Sequence, residues 1–194
     1  MTKSKLSALN VTTASAFVAL TAIGANITSI APFMVIGGVP ITLQTFFAVM
    51  SGIVLGSRLG ALSMSVYMML GLVGAPIFAQ FKGGASVILS PTFGFILSFI
   101  LLAYVAGKLV ERNQSLSMYI TAALIGMSIN YIVGTNWMYA AYIFWFEAPE
   151  ELTYKLVWLW MLVPLPKDII LSICAAALAF RIHKFGISFL SSQK

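Results

Sequence analysis

The sequence predicts an all-α integral membrane protein with six transmembrane helices and both termini on the cytoplasmic side. Three observations predict it. First, 60% of the 194 residues are hydrophobic, 8% are charged and the mean hydropathy is +1.00, more apolar than a soluble domain of this size can cover. Second, the charges leave uncharged stretches of membrane-spanning length. Third, the basic residues divide unevenly between the two faces those stretches define. Such a composition excludes a cytosolic enzyme, a secreted disulfide scaffold and a disordered tail. The net charge of +6 comes from singly scattered Lys and Arg, with no basic run for phosphates to follow, so it speaks of topology and not of nucleic acid. Cys174 is the single cysteine; between Ile173 and Ala175 it reads as a small buried residue.

Each element follows from the rule that a helical span needs about 20 apolar residues at a rise of about 1.5 Å each. Residues 6–57 are 52 positions without an ionisable side chain, enough for spans near 8–31 and 41–56 around turn signals at Pro32, Gly37, Gly38 and Pro40. Lys3 and Lys5 ahead of this run resemble a secretory signal, but the run is too long and no small-residue cleavage site closes it, so it is read as the first span. Residues 59–81 give 23 uncharged positions and one span at 59–79, ended by Gly74, Pro76 and Lys82-Gly83-Gly84. Residues 83–107 give 25, with helix over 92–110 behind Pro91. Residues 113–146 give 34, read as one long span near 117–144. The sixth, near 165–183, carries Lys167 and Asp168 close to its start. All six form a single membrane domain over residues 1–194.

Orientation follows from the basic residues, which cytoplasmic loops retain. The face holding both termini has Lys3, Lys5, Arg58, Lys108, Arg112, Arg181, Lys184 and Lys194; the other has only Lys82, Lys155 and Lys167. Four of the five acids, Glu147, Glu150, Glu151 and Asp168, fall on that sparse, outer face. Residues 156–164, with Trp158 and Trp160 beside Lys155, resemble an amphipathic segment in the outer headgroup layer.

The chain has no GxxxxGK[ST] phosphate loop, so ATP hydrolysis by that route must lie elsewhere. One His, one Cys and five dispersed acids make no metal set, no nucleophilic triad and no cofactor site, and His183 reads as a loop or interface residue. No enzyme is expected.

Polar side chains are costly in a bilayer, so their positions are informative. Thr42 and Gln44 open the second span. Gln80, Lys82, Gly83 and Gly84 form the turn after the third, and Thr92 opens the fourth. Asn130, Tyr131, Thr135 and Asn136 lie in the outer half of the fifth, and Lys167 and Asp168 begin the sixth. Together they suit a pocket for a small, polar-headed molecule, walled by Phe46, Tyr67, Phe78, Phe95 and Trp137. Each alone could equally be a cap or an interhelical hydrogen bond. On the first span Thr12, Ser15, Ala19, Ala22 and Asn26 make a smooth stripe of small and polar residues, which serves an internal helix contact or another protein equally well.

These segments resemble the BioY-type biotin-binding S components of energy-coupling-factor transporters. The likeness runs through Val39-Pro40-Ile41-Thr42-Leu43-Gln44-Thr45, residues 55–63, Tyr67 through Pro76-Ile77-Phe78-Ala79, Lys82-Gly83-Gly84, residues 90–95, Tyr131 to Gly134 and Pro164 to Asp168. It implies a six-helix, multi-pass subunit of a prokaryotic cell membrane that captures biotin near the outer face. It also implies a transmembrane coupling subunit, met through small residues of the first helix such as Thr12, Ser15, Ala19 and Ala22, and two cytoplasmic ATPases. Import would proceed by tilting of the loaded subunit.

Carried over, the resemblance gives Thr42, Gln44, Tyr67, Gln80, Gly84, Asn136 and Asp168 to the ring and its wall, and Lys167 or Lys82 to the ligand carboxylate. Two departures stand out. The family reads Gly-Pro-Thr-Gly-Gly-Tyr where this chain has Ser90-Pro91-Thr92-Phe93-Gly94-Phe95. It also keeps a lysine three residues after the aspartate, here Leu171, whereas Lys167 directly precedes Asp168. Adjacent helical residues diverge by about 100°, which argues against Lys167 taking over that charge in place. The altered lysine leaves lipoate or another small carboxylate cofactor as a rival ligand, and a scaffold without solute as a rival of another class.

Overall fold

The structure, a computed structural model, describes residues 8–27, the backbone of 35–36 and 39–40, and residues 42–185. Lys3, Lys5 and Lys194 of the charge count, and Pro32, Gly37 and Gly38 of the expected turn, lie outside the described residues. Among the described residues the helices are α1 (Ala8–Asn26), α2 (Gln44–Leu55), α3 (Ser57–Val73), α4 (Phe93–Arg112), α5 (Leu116–Phe144), α6 (Tyr154–Met161) and α7 (Leu165–Lys184). Between α1 and α2, β1 (Val35–Ile36) and β2 (Val39–Pro40) pair antiparallel over two residues.

α1, α4 and α5 are each long and apolar enough to cross a membrane, as are α6 and α7 taken together across a 49° bend. α2 is shorter than expected. Its 12 residues span only about 18 Å, but ten of them are buried and it touches α1, α3, α4, α5 and α7. A helix surrounded by protein need not match the bilayer, because its neighbours satisfy what lipid cannot. The third expected span also shifts. α3 starts at Ser57 and stops at Val73, where Gly74 turns to φ 120° and Pro76 follows; residues beyond it form 3₁₀ turns at Ala79–Phe81 and Ala85–Leu89.

The α2–α3 reversal is made by Gly56 at φ 88°, a left-handed backbone that favours glycine. Its reversal lets three helices close on one another. A Cβ on Gly52 would lie 2.3 Å from the Ala103 carbonyl oxygen, and one on Gly107 would lie 2.4 Å from the Ser57 nitrogen. The Glu111 carboxylate of α4 then caps α3, its Oε1 accepting from both the amide and the hydroxyl of Ser57 at 2.7 Å. Lys108 pairs with the other oxygen at 3.3 Å. His183 is not a loop residue: its ring bonds the Tyr119 hydroxyl of α5 and, at 3.1 Å, the Val54 carbonyl of α2. Cys174 is exposed, contrary to expectation, because the buried face of α7 runs through Ser172, Ala175, Ala176 and Ala179 and leaves position 174 turned away.

α1 to α5 and α7 alternate in direction, whereas α6 runs into α7 across the 49° bend. The N-termini of α2, α4 and α7 and the C-termini of α1, α3 and α5 therefore gather at one end, where the chain opens into a cavity.

Candidate functional site

The cavity has a volume of about 240 Å³, the scale of a small molecule. Thr42, Gln44 and Thr45 enter it from the start of α2, and Gln80 and Lys82 from the α3–α4 connection. α5 contributes Asn130 and Tyr131, and the first turn of α7 contributes Lys167 and Asp168. Apolar wall comes from Phe78, Phe95, Phe99, Tyr142 and Phe146, closed by Met161 and Pro164 at the α6–α7 bend.

Asp168 is the buried charge of the site, 6% exposed. It sits in the first turn of α7, where the helix N-terminus favours an anion. One carboxylate oxygen pairs with the Lys167 ammonium at 2.8 Å and the other accepts from the Tyr131 hydroxyl at 2.7 Å. Lys167 also donates to the Thr42 carbonyl at 2.6 Å, tying the entry of α2 to α7. Lys167 reaches the carboxylate of its neighbour through its four-carbon stem. The Lys82 ammonium is different: among the described residues it has neither an acid partner nor a hydrogen bond.

Gln44 is held by its neighbours. Thr42 donates to its carbonyl oxygen at 3.0 Å, and its amide nitrogen donates to Tyr67 Oη at 2.8 Å. Tyr67, fully buried, passes the chain on to the Ile77 carbonyl at 2.9 Å, so it stands one layer behind the cavity and orients Gln44. The turn carrying Gln80 and Lys82 is strained. Gln80 and Phe81 adopt φ 63° and 54°, a region costing a non-glycine residue about 1 kcal/mol. Asn26, the last residue of the α1 stripe, braces it by accepting from Phe81 N at 2.7 Å. Gly84 does not line the cavity; at φ 100° it shapes the turn, its amide donating to the Gly71 carbonyl at 2.7 Å.

Not all expected residues converge. Asn136 is exposed, bonded to the Ile132 carbonyl at 2.7 Å and to Tyr154 of α6 at 3.2 Å. Five residues past Tyr131, it lies about 140° round the helix from the cavity. Phe46 packs edge-on against Phe47, and Trp137 stands behind the wall against Gly94, donating to the Ser90 carbonyl. Thr12, Ser15 and Ala19 are exposed on α1, whereas Ala22 and Asn26 are partly covered. Sequence reasoning missed Thr45 as a lining residue, and it placed Asn130 and Tyr131 among the polar groups of the pocket without assigning them a ligand contact. The i, i+4, i+8 run Gly126–Asn130–Gly134 marked their face, because small residues point to where α5 is approached closely.

A model of the BioY family matches residues 1–187. The BioYB protein of Bacillus subtilis is 40% identical over 190 residues, covering 95% of this chain and 94% of its own. The biotin transporter BioY of Thermotoga maritima is 42% identical over 121 residues, 62% of this chain and 69% of its own. A crystal structure of the S-component for biotin from an ECF-type ABC transporter matches with a TM-score of 0.77 over 96% of both chains; at 22% identity that likeness speaks for the fold alone. On the family match and on the full-length Bacillus relative, this chain is a membrane protein that belongs to the BioY family.

Proposed function

We propose that this chain is the substrate-binding subunit of an energy-coupling-factor transporter, capturing biotin at the extracellular face of a prokaryotic cell membrane. The observation that carries the reading is a small cavity with one buried carboxylate at its polar end and one uncommitted ammonium at its rim. Biotin has the matching groups: a cyclic urea with N–H donors, an apolar ring and chain, and a carboxylate. The urea N–H meets Asp168, the apolar part meets Phe78, Phe95 and Phe99, and the carboxylate meets Lys82. Lys167 is already engaged by Asp168 and Thr42, which favours Lys82 for that last contact. Gln44, Gln80 and Thr42 supply the remaining polar wall. Lipoate carries no N–H for Asp168 and is expected to compete poorly.

In this reading α1, α2, α3, α4, α5 and α7 are the six crossings of a single membrane domain, with the cavity end outside and both termini in the cytoplasm. α6 rests in the outer headgroup layer. The exposed Thr12, Ser15 and Ala19, with Ala22, meet a transmembrane coupling subunit, and two ATPases on other chains supply the energy. The test is titration of the purified protein in nanodiscs with biotin, desthiobiotin and lipoate. Submicromolar binding of biotin, a higher melting temperature in its presence and no displacement by lipoate are expected. Failure to bind biotin removes the proposal.

A further inference from the structure

A buried polar chain crosses the cavity floor and links three helices. Ser98 of α4 lies 2.7 Å from Asn130 Oδ1 of α5, and Asn130 Nδ2 donates to Thr45 Oγ1 of α2 at 3.2 Å. All three are buried: Ser98 is 0% exposed, Asn130 3% and Thr45 8%. An amide nitrogen carries two protons and a hydroxyl one. Asn130 commits one proton to Thr45; its second proton and the Thr45 hydroxyl proton have no acceptor among the described residues. Both residues line the cavity. Uncommitted buried donors are costly to leave unmade, so the floor is built to meet an acceptor.

The acceptor's chemistry follows from what lies beside it. Tyr131, the next residue on α5, holds the Asp168 carboxylate. The cavity is therefore lined both by an acceptor, Asp168, and by a pair of donors, Asn130 and Thr45. The N–H and C=O edge of a cyclic urea has the complementary order, a donor next to an acceptor. We propose that Asn130 and Thr45 form a two-donor clamp on the ligand's urea oxygen and set specificity for a urea over its guanidine analogue. This assignment rests on the biotin reading above and says which end of the ligand goes deepest.

The probe is 2-iminobiotin, in which the carbonyl oxygen is replaced by a protonated nitrogen that donates at neutral pH. Binding of biotin and 2-iminobiotin is compared in nanodiscs for the wild-type protein, Asn130→Asp, Thr45→Val and Thr45→Ser. The wild type should prefer biotin by about a hundredfold or more, because a donor site left without its acceptor rejects the analogue strongly. Asn130→Asp, nearly the same shape but an acceptor, should erase or invert that preference. Thr45→Val should narrow it by about tenfold, the worth of one hydrogen bond, and Thr45→Ser should restore most of it. A wild-type protein that binds both ligands equally overturns the clamp. So does a preference left unmoved in Asn130→Asp and Thr45→Val proteins that still bind biotin, and both results leave the transport reading standing. A wild type that binds no biotin removes that reading and the clamp together. Should Asn130→Asp fail to fold, the isosteric Thr45→Val and the wild-type ratio decide.

Discussion

Away from the cavity, α2, α3 and α4 approach until a Cβ on Gly60 would lie 2.7 Å from the Gly52 Cα; at the cavity end the same helices part around about 240 Å³ of open space. The polar groups divide in the same way. Glu111, Ser57, His183 and Tyr119 bond to one another or to backbone at the closed end, whereas Lys82, Thr45 and Asn130 keep donors unspent at the open one. In lipid there is little hydrophobic drive between helices, so close packing of small residues supplies most of their cohesion. Concentrating that packing at one end allows the other to hold a hole and a buried charge.

If the two ends are separable, variants at the open end should change affinity and those at the closed end should change stability. The largest effect is expected from Asp168→Asn. It keeps the shape but turns an acceptor of charge-assisted hydrogen bonds into a neutral amide, and biotin affinity measured by titration should fall about a hundredfold or more. Gly52→Ala is its counterpart. The new methyl meets backbone, which cannot yield as a side chain would, so about 2–3 kcal/mol of stability should be lost, seen as a lower melting temperature in detergent. The fraction still folded should bind biotin as before. If Gly52→Ala weakens binding as Asp168→Asn does, the ends are coupled and the comparison fails.

The same division governs what was legible in the sequence. Helices were visible because charge spacing reports spans directly, and Asp168, Lys82 and Gln44 because an isolated polar residue in an apolar chain is conspicuous. The α2–α3 break at Gly56 was visible because Arg58 ends the uncharged run of residues 6–57; the stop of α3 at Val73, inside the uncharged run of residues 59–81, had no charge to mark it. Asn136 was misplaced by the same limitation. α5 carries polar residues on several sides, and the packing of its Gly126 and Gly134 face against Ala106 and Phe95 of α4 sets which side faces inward.

Within the open end, the two lysines sharpen the comparison. Lys82→Ala should weaken biotin by about tenfold at low salt while leaving biotin amide unaffected, as expected for a partly solvated ion pair lost with the carboxylate. Lys167→Ala should weaken both ligands alike, because it releases Asp168 and the Thr42 carbonyl and disturbs the ring end. Titrations with the acid and the amide separate the cases; equal losses for both ligands in Lys82→Ala would move the carboxylate contact elsewhere.

The smallest effect is expected at the closed end, from Glu111→Gln. The glutamine carbonyl can still accept from the Ser57 amide and hydroxyl, so the cap on α3 survives. What is lost is the charge facing Lys108, whose side chain is 48% exposed and can turn to solvent. An exposed pair of this kind is worth about 0.5 kcal/mol, so the melting temperature should move by no more than a degree or two. Glu111→Ala removes the cap as well and should cost about 1–2 kcal/mol, the range for losing a capping acceptor. A Glu111→Gln protein as unstable as Glu111→Ala would mean that the charge, and not the acceptor geometry, holds the start of α3. The closed end would then depend on electrostatics as much as the open end does.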